Sequence, residues 1–241
     1  MKFQSVATAA LICVVTASPV PDRAVLVPRL NTARLDAARA GAARLDTRQD
    51  GTDTSNDLVD GICREVTFIF ARGSLEAGNM GSIVGPQVCT DLQSTLSTDT
   101  VACQGVGSPY NATLADNFLP QNTSPTDIGA ATSMFDLANT QCPDTLIVAG
   151  GYSQGSAVMD GSIQALPAAL MAKIKGVVLF GFTRNEQDGG RIPNYPTNET
   201  KVYCADGDLV CNDTLIITPA HLTYGVDAPD AAAFLVSALG L

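Results

Sequence analysis

The sequence has a single histidine, His221, among its 241 residues. This scarcity excludes a metal centre built from several imidazoles, and the seven cysteines include no Cys-x-x-Cys pair of the kind that binds zinc. A reaction that needs an imidazole base must use this one residue. We therefore expect no bound metal ion, and we expect the chemistry to need no organic cofactor.

Basic residues are also scarce, with 14 Lys and Arg against 24 Asp and Glu. Residues 1–48 hold seven of the basic residues and only three of the acidic ones. The rest of the chain therefore has seven basic and 21 acidic residues, a formal charge of −14. Because this charge repels phosphate backbones and favours solubility, we expect no nucleic-acid partner.

One Gly-x-Ser-x-Gly element lies at residues 151–155, upstream of the histidine. It follows the apolar run 145–149, and small residues follow it. This pattern predicts a strand, a sharp turn and a helix, with Ser153 presented at the carboxyl end of a sheet. A serine hydroxyl becomes a good nucleophile only beside a base, so the pattern predicts nucleophilic catalysis by Ser153 with His221.

Such a pair needs an acid that orients the base, and in α/β-hydrolases the acid lies between serine and histidine in the chain. Asp208 fits this order, in the short loop between the last two cysteines. Asp206 in the same loop is a rival, and Asp213 is a weaker candidate. The backbone N–H of Gln154 should be one oxyanion donor, and a second should come from the loop after an early strand.

Several separated motifs resemble those of the fungal cutinases, in the family of cutinases and acetylxylan esterases. They are Phe-Ile-Phe-Ala-Arg-Gly-Ser at 68–74, Gly-Gly-Tyr-Ser-Gln-Gly at 150–155, the loop 204–211 with its Gly-Asp-Leu-Val, and Pro-Ala-His-Leu at 219–222. Residues 189–196 match as well, so the similarity runs from about Cys63 to the last residue.

The resemblance implies Ser153 as nucleophile, Asp208 as acid and His221 as base, which agrees with the assignment made from the residues. It favours Asp208 over Asp206, because the family's acid directly precedes the Leu-Val of this loop. It also implies that Ser74, in the turn after the early strand, is the second oxyanion residue beside Gln154.

The family binds acyl chains at apolar positions near the histidine. The corresponding residues here are Val210, Leu215, Ile217 and Leu222. The alternative is that half of them simply pack into the core.

Six cysteines remain once Cys13, in the N-terminal apolar segment, is set aside, and six cysteines permit fifteen pairings. The resemblance implies three disulfides: Cys63 with Cys142, Cys204 with Cys211 and, by subtraction, Cys89 with Cys103.

The N-terminal region is typical of an exported protein. Lys2, the apolar run 6–15 and small residues at 16–18 predict a signal peptide over residues 1–17, which is too short for a stable membrane anchor. The Ala- and Arg-rich residues 18–48 are predicted to be a pro-segment, and residues 49–241 the catalytic domain. Four Asn-x-Ser/Thr triplets are compatible with a secreted glycoprotein, at Asn111, Asn122, Asn198 and Asn212.

Apolar runs alternate with helical patterns along this domain. The runs predict strands at 66–71, 101–105, 145–150, 176–182 and 201–203, and the helical patterns lie at 82–96, 128–140, 155–173 and 230–239. This alternation predicts an α/β fold with a five-stranded, mostly parallel sheet flanked by helices. Because the segment between Ser153 and Asp208 leaves no room for a cap domain, we expect a compact α/β-hydrolase-type fold without one.

Together these patterns predict a secreted serine esterase that hydrolyses cutin polyester and short to medium acyl esters through an acyl-serine intermediate. An acetylxylan esterase of the same family is the first alternative, and it would have a small, polar acyl pocket. A non-catalytic secreted surface-binding or effector protein is the second. We expect a monomer that acts on an insoluble polyester or a small ester, without stable insertion into a membrane.

Overall fold

The structure is a computed structural model that describes residues 53–241. The predicted signal peptide and pro-segment lie outside these residues. Within them, no helix is long and apolar enough to cross a membrane.

One five-stranded parallel sheet organises the described residues. In chain order its strands are β1 (Val66–Ala71), β2 (Val101–Gly105), β3 (Leu146–Tyr152), β4 (Ile174–Phe180) and β5 (Thr200–Tyr203). In space the order is β2-β1-β3-β4-β5, and all four neighbouring pairs are parallel. Because parallel neighbours cannot be joined by tight hairpins, longer connections join the strands, and each of the four connections includes an α-helix.

Within residues 53–241, six α-helices accompany the sheet. They are α1 (Gly85–Leu96), α2 (Pro125–Gln141), α3 (Gln154–Ile163), α4 (Ala168–Met171), α5 (Asn185–Asp188) and α6 (Ala228–Leu239). Short 3-10 helices lie at Leu114–Phe118, Thr197–Glu199, Leu209–Asn212, Pro219–Leu222 and Tyr224–Asp227.

Alternate residues of the three central strands, β1, β3 and β4, face two separate cores. In β1, Ile69 and Ala71 pack with residues of α2 and α3, whereas Phe68 and Phe70 pack with residues of α1 and α6. All six residues of β1 are buried. A strand covered on both faces carries apolar residues at successive positions, which is why the strands are visible in the sequence as continuous runs.

The predicted fold class is confirmed, with changes at the element boundaries. β4 ends at Phe180 rather than 182, because Gly181 leaves the extended conformation with a φ of 54°. The predicted helix 155–173 is two helices, α3 and α4, with Pro167 as the N-cap of the second. A proline inside a helix removes a hydrogen bond and clashes with the preceding turn, so the chain breaks there.

Three disulfides connect the described residues, and the pairing is the one that the resemblance implies. They are Cys63–Cys142, Cys89–Cys103 and Cys204–Cys211, with Cα–Cα distances of 5.4, 6.2 and 6.0 Å.

Candidate active site

Ser153 occupies the sharp turn between the end of β3 and the start of α3. Its backbone has a φ of 52° and a ψ of −123°, a conformation that residues with side chains rarely adopt. The flanking glycines allow this turn to pack closely. A Cβ atom on Gly151 would lie 2.3 Å from the carbonyl oxygen of Gly155, and one on Gly155 would lie 2.0 Å from that of Ala71. The strained turn is therefore held by close backbone packing.

The three residues predicted as a triad lie together in the structure. His221 Nε2 is 2.9 Å from Ser153 Oγ, and His221 Nδ1 is 2.8 Å from Asp208 Oδ2. All three side chains are buried. Of the rival acids, Asp206 and Asp213 are both exposed, and the two hydrogen bonds of the imidazole go to Asp208 and Ser153 instead. The geometry is that of a nucleophile, a base and an acid that orients the base.

Two loops after the sheet bring the acid and the base to Ser153. Asp208 follows β5 and is the N-cap of the 3-10 helix Leu209–Asn212, inside the loop closed by the third disulfide. His221 lies in the next 3-10 helix, Pro219–Leu222. Both loops leave the carboxyl edge of the sheet, where open α/β folds place their ligands.

Tyr224 holds Asp208, although no sequence motif indicated this role. Its hydroxyl donates to Asp208 Oδ2 and accepts from the backbone N–H of Ala205, while Asp208 Oδ1 accepts from the N–H of Val210. Burial, together with the hydrogen bond to Asp208, raises the pKa of Tyr224 above its usual value. The hydroxyl therefore stays protonated and donates to the carboxylate.

Tyr152 holds the histidine from the other side. Its hydroxyl donates to the carbonyl oxygen of His221 at 2.8 Å, and the two ring centroids are 5.1 Å apart. A Cβ atom on Gly181 would lie 2.7 Å from His221 Cε1, so only glycine leaves room for the imidazole there. The position of Tyr152 directly before the nucleophile is the one sequence signal that pointed to it.

The turn after β1 places Ser74 at the cavity beside Ser153. Ser74 Oγ accepts a hydrogen bond from Asn117 Nδ2 at 2.8 Å, so the hydroxyl proton of Ser74 is available to another acceptor. Gln154 is the first residue of α3, where a backbone N–H has no partner within its helix. Both predicted oxyanion residues therefore offer a donor near the nucleophile, and Asn117 is a supporting residue that sequence reasoning missed.

Glu76 shapes the loop that carries Ser74. One carboxylate oxygen accepts from the N–H of Gly73 at 2.7 Å, and the other accepts from the N–H groups of Ser82 and Ile83 at 2.8 and 2.9 Å. A charged acceptor shared by three backbone donors fixes the loop on both sides of the carboxylate.

A cavity of about 280 Å³ opens beside Ser153 and His221. Its lining includes all four residues predicted as the acyl-binding rim, Val210, Leu215, Ile217 and Leu222. Further aliphatic side chains in the lining are Leu75, Ile83 and Leu114. Val210 is buried, whereas Ile217 and Leu222 are 52% and 56% exposed, so the apolar wall runs from the interior to the surface.

Comparison with protein-family models matches residues 62–239 to the family described as Cutinase. The chain belongs to the cutinase family. Probable cutinase 3 of Aspergillus fumigatus is 68% identical over 184 residues, which cover 76% of this chain and 85% of that protein.

Solved structures agree with this assignment to the cutinase family. Trichoderma reesei cutinase in complex with a C11Y4 phosphonate inhibitor is 36% identical and has a TM-score of 0.69, covering 86% of this chain and 90% of that one. An acetyl xylan esterase, 22% identical with a TM-score of 0.58, covers 74% of this chain and 100% of its own and has the same fold. The predictions of the family, of the fold class and of a carboxylic ester hydrolase are confirmed.

Behind the nucleophile of this cutinase-family chain, Asp160 lies wholly buried on α3. Its Oδ2 accepts from Gln164 Nε2 at 3.0 Å and is 3.4 Å from Arg184 Nε, while Oδ1 has no hydrogen-bond partner among the described residues. Burial, reinforced by the charge of Asp188, raises the pKa of Asp160 to about 7 against the opposing effect of Arg184. The guanidinium of Arg184 does not lower the pKa of Asp160 to its ordinary value, because the same guanidinium also pairs with Asp188 at 2.7 Å.

Asp160→Asn is expected to change the pH dependence of stability. The folded-state pKa of about 7 exceeds the ordinary value of 3.8, so the folded protein keeps a proton that the unfolded chain releases. The stability that this group contributes is fully present below about pH 3.8 and is lost as the pH rises from there to about 7. At about 1.4 kcal/mol per pKa unit, the unfolding free energy of the variant relative to wild type should rise by about 1–3 kcal/mol from pH 5 to pH 8.

Denaturant unfolding at both pH values measures this difference. Asp136→Asn, at an exposed position on α2, is the matched control for the loss of one carboxyl. A relative stability of Asp160→Asn that is equal at pH 5 and pH 8 would contradict the raised pKa.

Opening the Cys204–Cys211 bridge is expected to lower activity by more than the accompanying loss of stability would explain. The bond spans only seven positions and closes the loop that carries Asp208. Replacing both cysteines by alanine should cost about 2–3 kcal/mol on the loop-entropy estimate. It should also cost on the order of a hundredfold in turnover, because a displacement of about 1 Å in the acid misaligns the base.

The Cys89–Cys103 bridge provides the control, because it joins α1 to β2 away from the cavity. Both double alanine variants should be assayed well below their melting temperatures. If opening Cys204–Cys211 lowers the melting temperature but leaves turnover within about twofold of wild type, the bridge does not position the acid.

Proposed function

We propose that the protein is a secreted serine esterase that hydrolyses cutin polyester and short to medium acyl esters through an acyl-serine intermediate. The observation that carries this proposal is the hydrogen-bonded chain from Ser153 through His221 to Asp208 at the mouth of an apolar cavity. Membership of the cutinase family supports the same chemistry.

In the proposed reaction, Ser153 Oγ attacks the ester carbonyl while His221 Nε2 takes its proton. Asp208 accepts the hydrogen bond from Nδ1–H and stabilises the imidazolium that forms. The alcohol leaves with the proton from His221, and the acyl group stays on Ser153. Water then attacks the acyl-enzyme with the same base, which releases the acid and restores the serine.

Ser74 and Gln154 are proposed to stabilise the oxyanion that forms on the carbonyl oxygen. Donors that are already in place need no reorganisation as charge develops, which makes such groups effective. The hydrogen bond from Asn117 to Ser74 and the fixed loop around Glu76 support this role, because both keep the donor oriented.

The lining of the cavity favours an acyl chain over an acetyl group. Seven aliphatic residues line it, whereas an acetylxylan esterase would need only a small, polar pocket. Burying each additional methylene stabilises a bound chain by about 0.8 kcal/mol, or roughly fourfold in affinity. We therefore propose Val210, Leu215, Ile217 and Leu222 as acyl-binding residues.

Features of the described domain support secretion and an extended substrate. Three disulfides are typical of proteins that fold in an oxidising compartment. The partly exposed apolar wall suits the surface of an insoluble polyester. Three of the four glycosylation triplets begin at exposed asparagines, Asn111, Asn198 and Asn212, whereas Asn122 is half-buried.

An acyl-chain-length series on the purified protein tests the proposal. Moving from acetate to butyrate adds two methylenes, so kcat/KM for nitrophenyl butyrate should exceed that for the acetate by about fifteenfold. Faster release of acetate from acetylxylan than hydrolysis of any longer ester would favour the acetylxylan esterase alternative. Absence of hydrolysis of every ester would favour the non-catalytic protein.

A further inference from the structure

Tyr110 lies in the segment after β2, and its side chain has no role in the mechanism above. It is 1% exposed and is not among the residues that line the cavity. Its hydroxyl donates to the carbonyl oxygen of Arg72 at 2.7 Å and lies 3.4 Å from the Oε1 atom of Gln154. Burial raises the pKa of Tyr110 well above its usual value, so the hydroxyl stays protonated as a donor. One buried hydroxyl therefore contacts both segments that supply the proposed oxyanion donors.

The carbonyl of Arg72 belongs to the peptide group that leads into the turn of Ser74. A trans peptide group is planar, so its C=O and N–H point in opposite directions. In the peptide between Arg72 and Gly73, the C=O accepts from Tyr110 and the N–H donates to the Glu76 carboxylate at 2.7 Å. In the next peptide, the Gly73 carbonyl accepts from the N–H of Glu76 at 3.3 Å. These contacts fix both peptide planes, and with them the direction of the Ser74 N–H.

The side chain of Gln154 is anchored to the segment that begins at Tyr110. It is fully buried, and its Nε2 donates to the carbonyl oxygen of Thr113 at 2.8 Å. That hydrogen bond leaves Oε1 facing the Tyr110 hydroxyl. The neighbouring Ala112 carbonyl accepts from the N–H of Leu75, in the turn after β1, at 3.0 Å. The same short segment therefore connects this turn to the first residue of α3.

We propose that Tyr110 is a positioning residue whose hydroxyl sets the distance between the two proposed oxyanion donors, the turn of Ser74 and the backbone N–H of Gln154. The inference rests on the proposed esterase function and adds to it a residue outside the cavity. Negative charge on the carbonyl oxygen develops only as the transition state forms. A misplaced donor therefore weakens binding of the transition state and leaves binding of the acyl chain unchanged.

Tyr110→Phe tests this role, because it removes the hydroxyl and keeps the ring. We expect kcat/KM to fall by about tenfold to fiftyfold, less than the hundredfold or more that loss of a donor costs. The fall should be equal for nitrophenyl acetate, butyrate and hexanoate, because these esters share the carbonyl and differ only in the chain. In the adduct of butylboronic acid, the serine oxygen adds to boron and a boron-bound oxygen takes the place of the oxyanion. Its inhibition constant should therefore rise by a factor similar to the fall in kcat/KM.

Tyr195→Phe is the matched control. The hydroxyl of Tyr195, also a buried residue, donates to the carbonyl oxygen of Ile174 at 3.1 Å. Ile174 begins β4, so this bond lies at the opposite edge of the parallel sheet from Ser153. Each variant loses one buried hydrogen bond from a tyrosine to a carbonyl, so both melting temperatures should fall by similar amounts. Tyr195→Phe should nevertheless keep kcat/KM and the inhibition constant within about twofold of wild type.

Gln154→Met is the second variant, because it breaks the connection at its other end. It keeps the backbone donor and removes the amide that is bonded to Thr113. It should change kcat/KM and the inhibition constant in the same directions, and it decides the question if Tyr110→Phe does not fold.

Three results would overturn the proposal. The first is a folded variant that keeps kcat/KM within about twofold of wild type. The second is a fall in kcat/KM that depends on chain length, and the third is a fall without a change in the inhibition constant of the boronic acid. A wild-type protein that hydrolyses none of the three esters would instead reject the esterase function itself.

Discussion

Ser153→Ala is expected to lower turnover by on the order of 10⁶-fold while the protein stays folded, because loss of a triad nucleophile removes the covalent route. The fold should survive for a specific reason. The strain at residue 153 comes from its positive φ, which alanine and serine bear alike. The variant therefore loses one hydroxyl and its hydrogen bond to His221, without a change in backbone preference.

His221→Ala should lose a similar amount, and the double variant should lose little more than either single one, because triad members act as a unit. Ser133→Ala, an exposed serine on α2, is the matched control and should retain full activity. Hydrolysis of nitrophenyl butyrate, with circular dichroism as the check on folding, measures the effect. Retention of more than a few per cent of activity by Ser153→Ala would reject this serine as the nucleophile.

The sheet could be predicted from the sequence because parallel strands covered on both faces leave continuous apolar runs. The helix ends were predicted less accurately, because short-range capping interactions determine where a helix begins. α2 begins at Pro125 rather than 128, since Ser124 caps it and exchanges hydrogen bonds with Asp127. The motif was present in the sequence, but the apolar pattern begins only after it.

The residues that hold the site were harder to predict than the residues proposed to react. Few residue types can act as nucleophile, base or acid, and a single histidine leaves no choice of base. Tyr224 and Asn117 instead act through partners 16 and 43 positions away, which tertiary packing brings together. No local pattern distinguishes a tyrosine that holds a carboxylate from one that packs in a core.

Asp208→Asn is expected to lower turnover by about 10⁴-fold, the loss typical of a triad whose acid becomes an amide. In the structure, Oδ2 accepts from both Tyr224 and His221 Nδ1–H, and Oδ1 accepts from the N–H of Val210. An asparagine must place its NH₂ group where either Oδ2 or Oδ1 now lies. In the first position, that of Oδ2, the NH₂ group donates to His221 Nδ1. The imidazole then carries its proton on Nε2 and cannot accept one from Ser153.

At the second position the NH₂ group of the introduced amide would face the N–H of Val210, two donors in contact, and the loop would have to move. Either arrangement disables the base, so the loss should appear in kcat, while the cavity that binds the acyl chain keeps its lining. Asp206→Asn is the matched control: it makes the same chemical change two residues earlier, at an exposed position in the same disulfide loop. It should retain activity within about twofold of wild type. If Asp206→Asn were inactive and Asp208→Asn active, the acid that orients His221 during the reaction would be Asp206, and the loop would have to rearrange when substrate binds.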